Sequence, residues 1–176
     1  MALEHALLIS LRERPASGLE LARRFERSIG FFWSATHQQI YKVLGRMDGD
    51  RWVTVTEVPQ DARPTKKVYA VSPLGEQALA DWLAEPTATS PMRSELAVKM
   101  RGASFGERAA VLDVVRTHLA DHVTRLDHYA QLMTRDYPTP ASLSGIDLDH
   151  YLVLRGGILM EETWVAWLTE YLEAHA

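Results

Sequence analysis

The side chains best suited to recognition chemistry follow one another on a short stretch, residues 34–47. Its apolar residues recur at helical spacing, and the helix face between them is polar. That face carries Thr36, His37, Gln38, Gln39, Tyr41, Lys42 and Arg46. Glutamine can pair with an adenine edge through two hydrogen bonds, and Lys or Arg can neutralise a phosphate. The alternative is an ordinary solvated helix face. Without further evidence, the helix pattern alone would favour that alternative.

A predicted hairpin follows this helix and favours nucleic-acid binding. Ser34 is expected to cap the helix, and Asp48-Gly49 to end it. Residues 52–56 and 67–71 then alternate with the period of a strand. The polar and basic residues at and beside the hairpin tip are Arg63, Thr65, Lys66 and Lys67. A polar helix followed by a basic hairpin predicts a winged helix, which binds DNA with the helix in a groove. The alternative is that the basic residues of this hairpin tip only increase solubility.

Composition excludes several classes of chemistry. The chain has 176 residues, 47% of them hydrophobic and 24% charged, and it has no cysteine. Disulfides, thiolate zinc sites and cysteine nucleophiles are therefore excluded. The net charge of −4 is unevenly distributed: residues 12–69 carry eleven Lys and Arg against seven Asp and Glu, and residues 87–176 carry eight against twelve. The weakly basic front half suits phosphates. The apolar run at residues 4–11 is too short to span a membrane, so we expect a cytoplasmic protein.

Local signals divide the chain into two predicted domains. Ser17-Gly18-Leu19-Glu20 is a capping-box sequence that starts a second helix, and Ser72-Pro73 starts a fourth. A linker is expected at residues 85–91. The fold predicted for residues 1–86 is a winged helix-turn-helix DNA-binding domain with a two-stranded β-wing. The whole chain is predicted to be mainly α.

The second predicted domain, residues 92–176, is a dimerisation domain of long helices. A second capping box, residues 104–107, is expected to open a helix that reaches Tyr137. Asp147 is expected to cap a last helix that ends near Ala174. Gly156-Gly157 is costly inside a helix and predicts a close backbone crossing. The long helix has a seven-residue apolar repeat, which favours packing on another helix at a shallow angle. A second copy of the chain would cover the apolar surface that the two helices leave exposed. The repeat consists of Phe105, Leu112, Leu119, Leu126 and Met133, with Val115, His122 and Tyr129 between them.

These residues together resemble the PadR family of bacterial winged-helix transcriptional regulators. The resemblance rests on Ala6-Leu7-Leu8, residues 17–21, Phe31-Phe32-Trp33, residues 37–41, Leu44, Trp52-Val53, residues 62–72 and Gly75. The tail, from residues 95–99 to Trp167-Leu168, is similar to the subgroup of the virulence activator AphA. The resemblance implies a regulator, expected to be a repressor, that binds double-stranded DNA with the Tyr41 hydroxyl on a phosphate. A homodimer held by the C-terminal helices should bind an inverted repeat, because two-fold protein symmetry is matched by two-fold DNA symmetry. The chain has Ala62 where the family often has glycine, and Lys42 where it often has proline.

Three further features have competing interpretations. His118 and His122 have metal-ligand spacing but no third ligand, so we predict no metal and no cofactor. Trp164 and Trp167 could stack on a small planar aromatic effector, which the resemblance makes plausible, or could be core residues. Catalytic residues are not predicted, because the sequence has no phosphate loop and no nucleophile elbow. An adaptor that uses the winged helix to bind protein stays open as the alternative to a DNA-binding regulator.

Overall fold

The computed structural model describes residues 2–26, 35–60, 63–89 and 93–176. The chain forms two compact units, Met1–Thr89 and Ser90–Ala176. The first unit contains α1 (Ala2–Glu13), β1 (Ala16–Ser17), α2 (Gly18–Glu26), α3 (His37–Gly49), β2 (Val53–Gln60), β3 (Arg63–Val71) and α4 (Pro73–Ala84). The second contains α5 (Glu95–Arg101), α6 (Arg108–Asp136) and α7 (Gly145–Glu173). Short 3-10 turns lie at Ala103–Phe105 and Pro140–Ser142.

The sheet of the first unit is antiparallel and has three strands, in the order β1-β3-β2. Ala16 is opposite Tyr69, and Ser17 is opposite Val68. The mainly α winged-helix fold is therefore confirmed, and the predicted two-stranded wing is present as β2 and β3, to which β1 adds a short third strand that the sequence did not predict. Two residues are too few to show the alternation by which a strand is found in a sequence. The third strand covers only the end of β3 nearest the helices.

The core of the first unit forms where α1, α2 and α3 meet. Leu7, Leu8, Leu21, Ile40 and Leu44 are all completely buried. Burying one side chain of this size contributes about 1.5–3 kcal/mol. Ile40 and Leu44 lie on the inner face of α3, with the polar face of that helix opposite them. The core thus determines which face of α3 meets solvent.

Local side-chain caps fix the starts of the helices in this unit. The α2 capping box is confirmed, since Ser17 Oγ accepts from Glu20 N at 3.3 Å and Glu20 Oε2 accepts from Ser17 N at 3.0 Å. The cap of α4 is also confirmed, because Ser72 Oγ accepts from Gly75 N at 3.0 Å. The predicted cap of α3 is wrong. That cap is Thr36, whereas Ser34 lies outside the described residues.

In the second unit α6 and α7 pack along each other. The buried residues of α6 are Val115, His122 and Tyr129, the middle positions of the predicted repeat. Phe105, the first residue of the repeat, precedes α6 and is 94% exposed. The repeat therefore predicted which face of α6 packs on α7, except that its first residue lies before the helix.

Both predicted starts of the long helices are wrong. Glu107 precedes α6 without a side-chain cap, because Gly106 is extended and separates Ser104 from the first turn. Ser144 rather than Asp147 precedes α7, whose first residue is Gly145 at φ +56°. These starts depend on backbone geometry that the capping pattern does not reveal.

The predicted close crossing at Gly156-Gly157 is only partly consistent with the packing inside the chain. Gly157 is buried, but a Cβ at Gly156 would meet no atom within 4 Å. Adjacent helix positions point about 100° apart, so only one of the two glycines can face the same neighbour. Gly156 lies instead on the outer face of α7.

Candidate nucleic-acid interface

The first turn of α3 is closed by a capping box between Thr36 and Gln39. Thr36 Oγ1 accepts from Gln39 N at 3.2 Å, and Gln39 Oε1 accepts from Thr36 N at 2.8 Å. The Thr36 hydroxyl also lies 3.2 Å from the same Oε1. Pairing with adenine requires both the oxygen and the nitrogen of a glutamine amide. Gln39 can offer only its nitrogen while the box is intact, whereas Gln38 is exposed and makes no such cap.

Tyr41 lies on the exposed side of α3 and packs over the start of α2. Its ring is so close to Gly18 that a Cβ there would lie 2.4 Å from Cε1 of Tyr41. The side chain is nevertheless 48% exposed. A half-buried tyrosine with an accessible edge suits a hydroxyl that must be held in one place. The sequence pointed to Tyr41 but gave no indication that Gly18 accommodates it.

Arg46 makes an ion pair with α1. Its Nη2 lies 2.9 Å from Glu4 Oε2, and only 11% of the Glu4 side chain is exposed. The guanidinium is therefore one of several groups that stabilise this nearly buried carboxylate. Lys42 is exposed on the same helix. Of these two predicted phosphate contacts, Lys42 is the one with no counter-ion described in the structure.

The basic side chains of the hairpin differ in the same way. Lys66 Nζ lies 2.7 Å from Glu20 Oε1, and 29% of the lysine side chain is exposed. Thr65 and Lys67 are exposed, and Lys67 is opposite Glu57 in the β2–β3 register. Arg63 begins β3. Of Lys66 and Lys67, Lys66 is thus the less accessible, and it is the one that makes an ion pair.

Glu20 has a strongly perturbed carboxyl. The hydrogen bond from Lys66, followed by those from the Ser17 backbone and hydroxyl, lowers the pKa of Glu20 to about 2. Ser17 Oγ lies 2.8 Å from Glu20 Oε2. The capping-box pattern identified Glu20 as a cap, but its ion pair with a residue 46 positions later had no local signal.

The two tryptophans proposed for an effector lie on α7 in different surroundings. Trp164 stacks in parallel on His122, with centroids 4.9 Å apart, and Trp167 packs beside it at 5.1 Å. Both pack against the core of the second unit. Trp164 also lines a cavity of about 420 Å³, whose described lining does not include Trp167. Further lining residues are Leu96, Val114, Arg93, Lys99 and His118.

The two histidines with metal-ligand spacing both line this cavity, but they differ in burial and in their partners. His122 Nδ1 lies 2.5 Å from Glu161 Oε2, and Arg125 Nη2 lies 2.9 Å from the same nitrogen. His118 is exposed and lines the cavity. Within the residues that the structure describes, no three His, Cys, Asp or Glu side chains gather as a metal site. His122 therefore belongs to a buried polar cluster between α6 and α7.

Comparison with known proteins shows the family. Residues 7–81 match the model of the transcriptional regulator PadR-like family, and residues 92–176 match that of the virulence activator alpha C-terminal domain. A relative from Mycobacterium tuberculosis, named a probable transcriptional regulator, Rv1176c, is 49% identical over 184 residues, which cover 99% of this chain and 97% of the relative. The negative transcriptional regulator PadR of Bacillus subtilis is 30% identical, over 97% of this chain and 95% of that protein. The chain belongs to the PadR-like family of transcriptional regulators.

Solved structures of PadR-like proteins share the folds of both units. Bacillus subtilis PadR in complex with operator DNA has a TM-score of 0.86 and 28% identity, covering 99% of both chains. The same protein in complex with p-coumaric acid has a TM-score of 0.80 and 28% identity, covering 99% of this chain and 98% of that one. The Vibrio cholerae virulence activator AphA has a TM-score of 0.81 and 29% identity, again over 99% of both. These relatives are regulators rather than enzymes. Among the described helices of this chain, none is both long and apolar enough to cross a bilayer.

Proposed function

We propose that this PadR-like protein is a repressor that binds an inverted-repeat operator as a homodimer. In this proposal residues 1–86 bind DNA, with α3 in the major groove and the β2–β3 hairpin along the backbone. Residues 92–176 join the two copies. The observation that carries the proposal is the outward polar face of α3, where Gln38, Tyr41 and Lys42 are exposed over a fully buried apolar face. PadR of Bacillus subtilis, with the same architecture, has been solved on operator DNA.

The contact residues we propose follow from which side chains are accessible. Gln38 reads a base edge, the Tyr41 hydroxyl and Lys42 contact phosphates, and Thr65 and Lys67 contact the backbone beside the hairpin. Thr36 and His37, exposed at the start of α3, lie where a helix N-terminus approaches a phosphate. Arg46 and Lys66 are assigned to internal ion pairs rather than to phosphates.

Selection of bound sequences from a random duplex library tests this proposal. We expect an enriched inverted repeat whose half-sites are separated by about one helical turn, about 34–36 Å, or by a multiple of it. Binding should weaken steeply with salt. If no sequence is enriched while the protein captures another protein stably, the adaptor alternative is favoured.

The dimer is supported by an apolar stripe on the outer face of α7. Leu152, Val153, Leu159 and Met160 are 48–59% exposed, and Gly156 lies among them. Exposed apolar stripes of this kind mark interaction surfaces. Light scattering at micromolar concentration should give twice the mass of 19.9 kDa. A monomer at that concentration would contradict the proposal.

We further propose that a small planar effector relieves repression by binding in the cavity beside Trp164. The cavity combines apolar side chains with Arg93, His118 and the Lys99–Glu95 ion pair, so Arg93 and His118 are the groups we propose for a ligand with a ring and an anionic group. Trp167 is proposed as a packing residue. Titration with aromatic acids should quench part of the tryptophan fluorescence and release DNA, and Trp164→Leu should lose both the quenching and the release while Trp167→Leu keeps them. Release that survives in Trp164→Leu would place the effector elsewhere.

A further inference from the structure

The carboxylate of Glu20 joins three elements of the winged-helix unit. Its Oε2 accepts from the backbone N and the hydroxyl of Ser17, which belongs to β1. Its Oε1 lies 2.7 Å from Lys66 Nζ on β3. Glu20 itself is in the first turn of α2. We refer to the contact between Glu20 and Lys66 as the wing-base ion pair.

The wing-base ion pair lies where the hairpin leaves the body of the unit. Strand β1 supports β3 only at Tyr69 and Val68. Beyond Val68, toward the tip, β3 pairs with β2 alone, and the register there shifts between Val58 and Gln60. Two-stranded ribbons twist more freely than wider sheets. Lys66 is two residues beyond the last backbone pairing with β1, so its side chain extends the support of the hairpin.

We propose that Glu20 and Lys66 are positioning residues that hold the hairpin at the angle required for it to meet DNA together with α3. This inference rests on the proposed DNA-binding function. In it, the charge of Lys66 is used inside the protein and does not neutralise a phosphate. The depressed pKa of Glu20, lowered chiefly by the Lys66 hydrogen bond, supports a carboxylate that stays charged at any physiological pH.

Simple electrostatics and the positioning role predict opposite signs for one substitution. Removing a negative charge from a DNA-binding surface should strengthen binding, because the protein becomes more positive. Releasing Lys66 for a phosphate would strengthen it further. If instead Glu20 orients the hairpin, loss of its charge should weaken binding. Glu20→Gln is well suited to the test, since glutamine at this helix position can still close a capping box.

The experiment measures operator affinity by fluorescence anisotropy at several salt concentrations for the full chain. An exposed ion pair of this kind predicts a loss of about two- to fivefold for Glu20→Gln. Lys66→Met should lose about the same factor with an unchanged salt slope, whereas loss of a phosphate contact would reduce the slope by about 0.9. The control is Glu57→Gln, which removes the same charge from exposed β2 and should bind as well as wild type or better.

The double variant separates positioning from misfolding. Glu20→Gln combined with Lys66→Met should bind no more weakly than either single variant, because both break one contact. Thermal unfolding of each variant should remain cooperative. Equal or tighter DNA binding by Glu20→Gln, a reduced salt slope in Lys66→Met, or additive losses would each overturn the inference. Failure of the wild type to bind any selected DNA would instead overturn the proposed function.

Discussion

Tyr41 in α3 lies directly over Gly18, the first residue of α2, with no room between them for a Cβ. An alanine methyl at position 18 would lie 2.4 Å from Cε1 and 2.9 Å from Cζ of the ring. The nearest atoms are the outer part of a flexible side chain, so the ring can move away. The two helices of the helix-turn-helix thus meet through a glycine that determines where the Tyr41 hydroxyl lies.

Gly18→Ala is expected to weaken operator binding more than it weakens the fold. The ring must rotate, and one hydrogen bond of about 1 kcal/mol to DNA should be lost. Stability should change by no more than about 0.5 kcal/mol, because a partly exposed side chain can relocate. Calorimetry and anisotropy on the same samples measure both effects. In a Tyr41→Ala background Gly18→Ala should have no further effect on binding, and a further loss there would contradict the assignment.

The two adjacent glutamines are expected to differ. Gln38→Ala should relax preference at one base position by about 1–3 kcal/mol, with little effect on stability. Gln39→Ala should cost about 0.5–2 kcal/mol of stability, because it removes half of the capping box at Thr36.

Gln39→Glu serves as the matched control for this pair, since glutamate can close the same box. Its stability should be close to that of the wild type, while the added negative charge weakens DNA binding generally. If Gln39→Ala relaxed base preference at wild-type stability, the capping box would not limit Gln39 and both glutamines would be readers.

Local signals predicted most of the fold, and distant contacts account for what they missed. The apolar period of α3 and the caps at Ser17 and Ser72 act within one or two turns, so a single sequence contains them. The ion pairs of Arg46 and Lys66 join residues 42 and 46 positions apart. A basic residue on a predicted surface has the same sequence signature whether it faces DNA or a carboxylate. The sequence therefore predicts a basic surface but does not distinguish its accessible cations from those that are paired inside the protein.

Substitutions of Arg46 and Lys42 are expected to distinguish a cation that is paired inside the protein from one that contacts DNA. Arg46→Met should destabilise the unit by up to about 1 kcal/mol, since it removes a half-exposed ion pair from the nearly buried Glu4 carboxylate, which keeps its other interactions. The salt slope of DNA binding should not change. Lys42→Met should leave stability unchanged and reduce the slope by about 0.9. Urea unfolding gives the stability of each variant, and salt-titrated anisotropy gives its salt slope. A reduced slope in Arg46→Met would show that Arg46 contacts a phosphate.

Glu20 should make stability depend on pH in a defined window. Its pKa is about 2 in the folded protein against an ordinary value of 4.5, so the folded state favours the charged form. The contribution of the ionised carboxylate is therefore fully present above about pH 4.5 and is lost as the pH falls toward 2. Urea midpoints of wild type and Glu20→Gln should differ at pH 6 and converge by about pH 2. A constant difference across that range would mean that the charge of Glu20 contributes nothing to stability.

Gly156 provides a substitution whose effects on the monomer and on the dimer should have opposite signs. Leucine or alanine in place of a helical glycine should stabilise α7 by about 0.8–1 kcal/mol, and the space beside Gly156 is open within the chain. If a partner helix crosses the apolar stripe there, the leucine side chain should force the two helices apart.

Gly156→Leu should thus raise the unfolding temperature of dilute monomer while shifting the dimer equilibrium toward monomer. Gly156→Ala should do so less, and Glu173→Leu, which adds the same side chain at the end of α7, should not. Sedimentation equilibrium measures the shift, and an unchanged dimer constant in Gly156→Leu would move the interface away from this stripe.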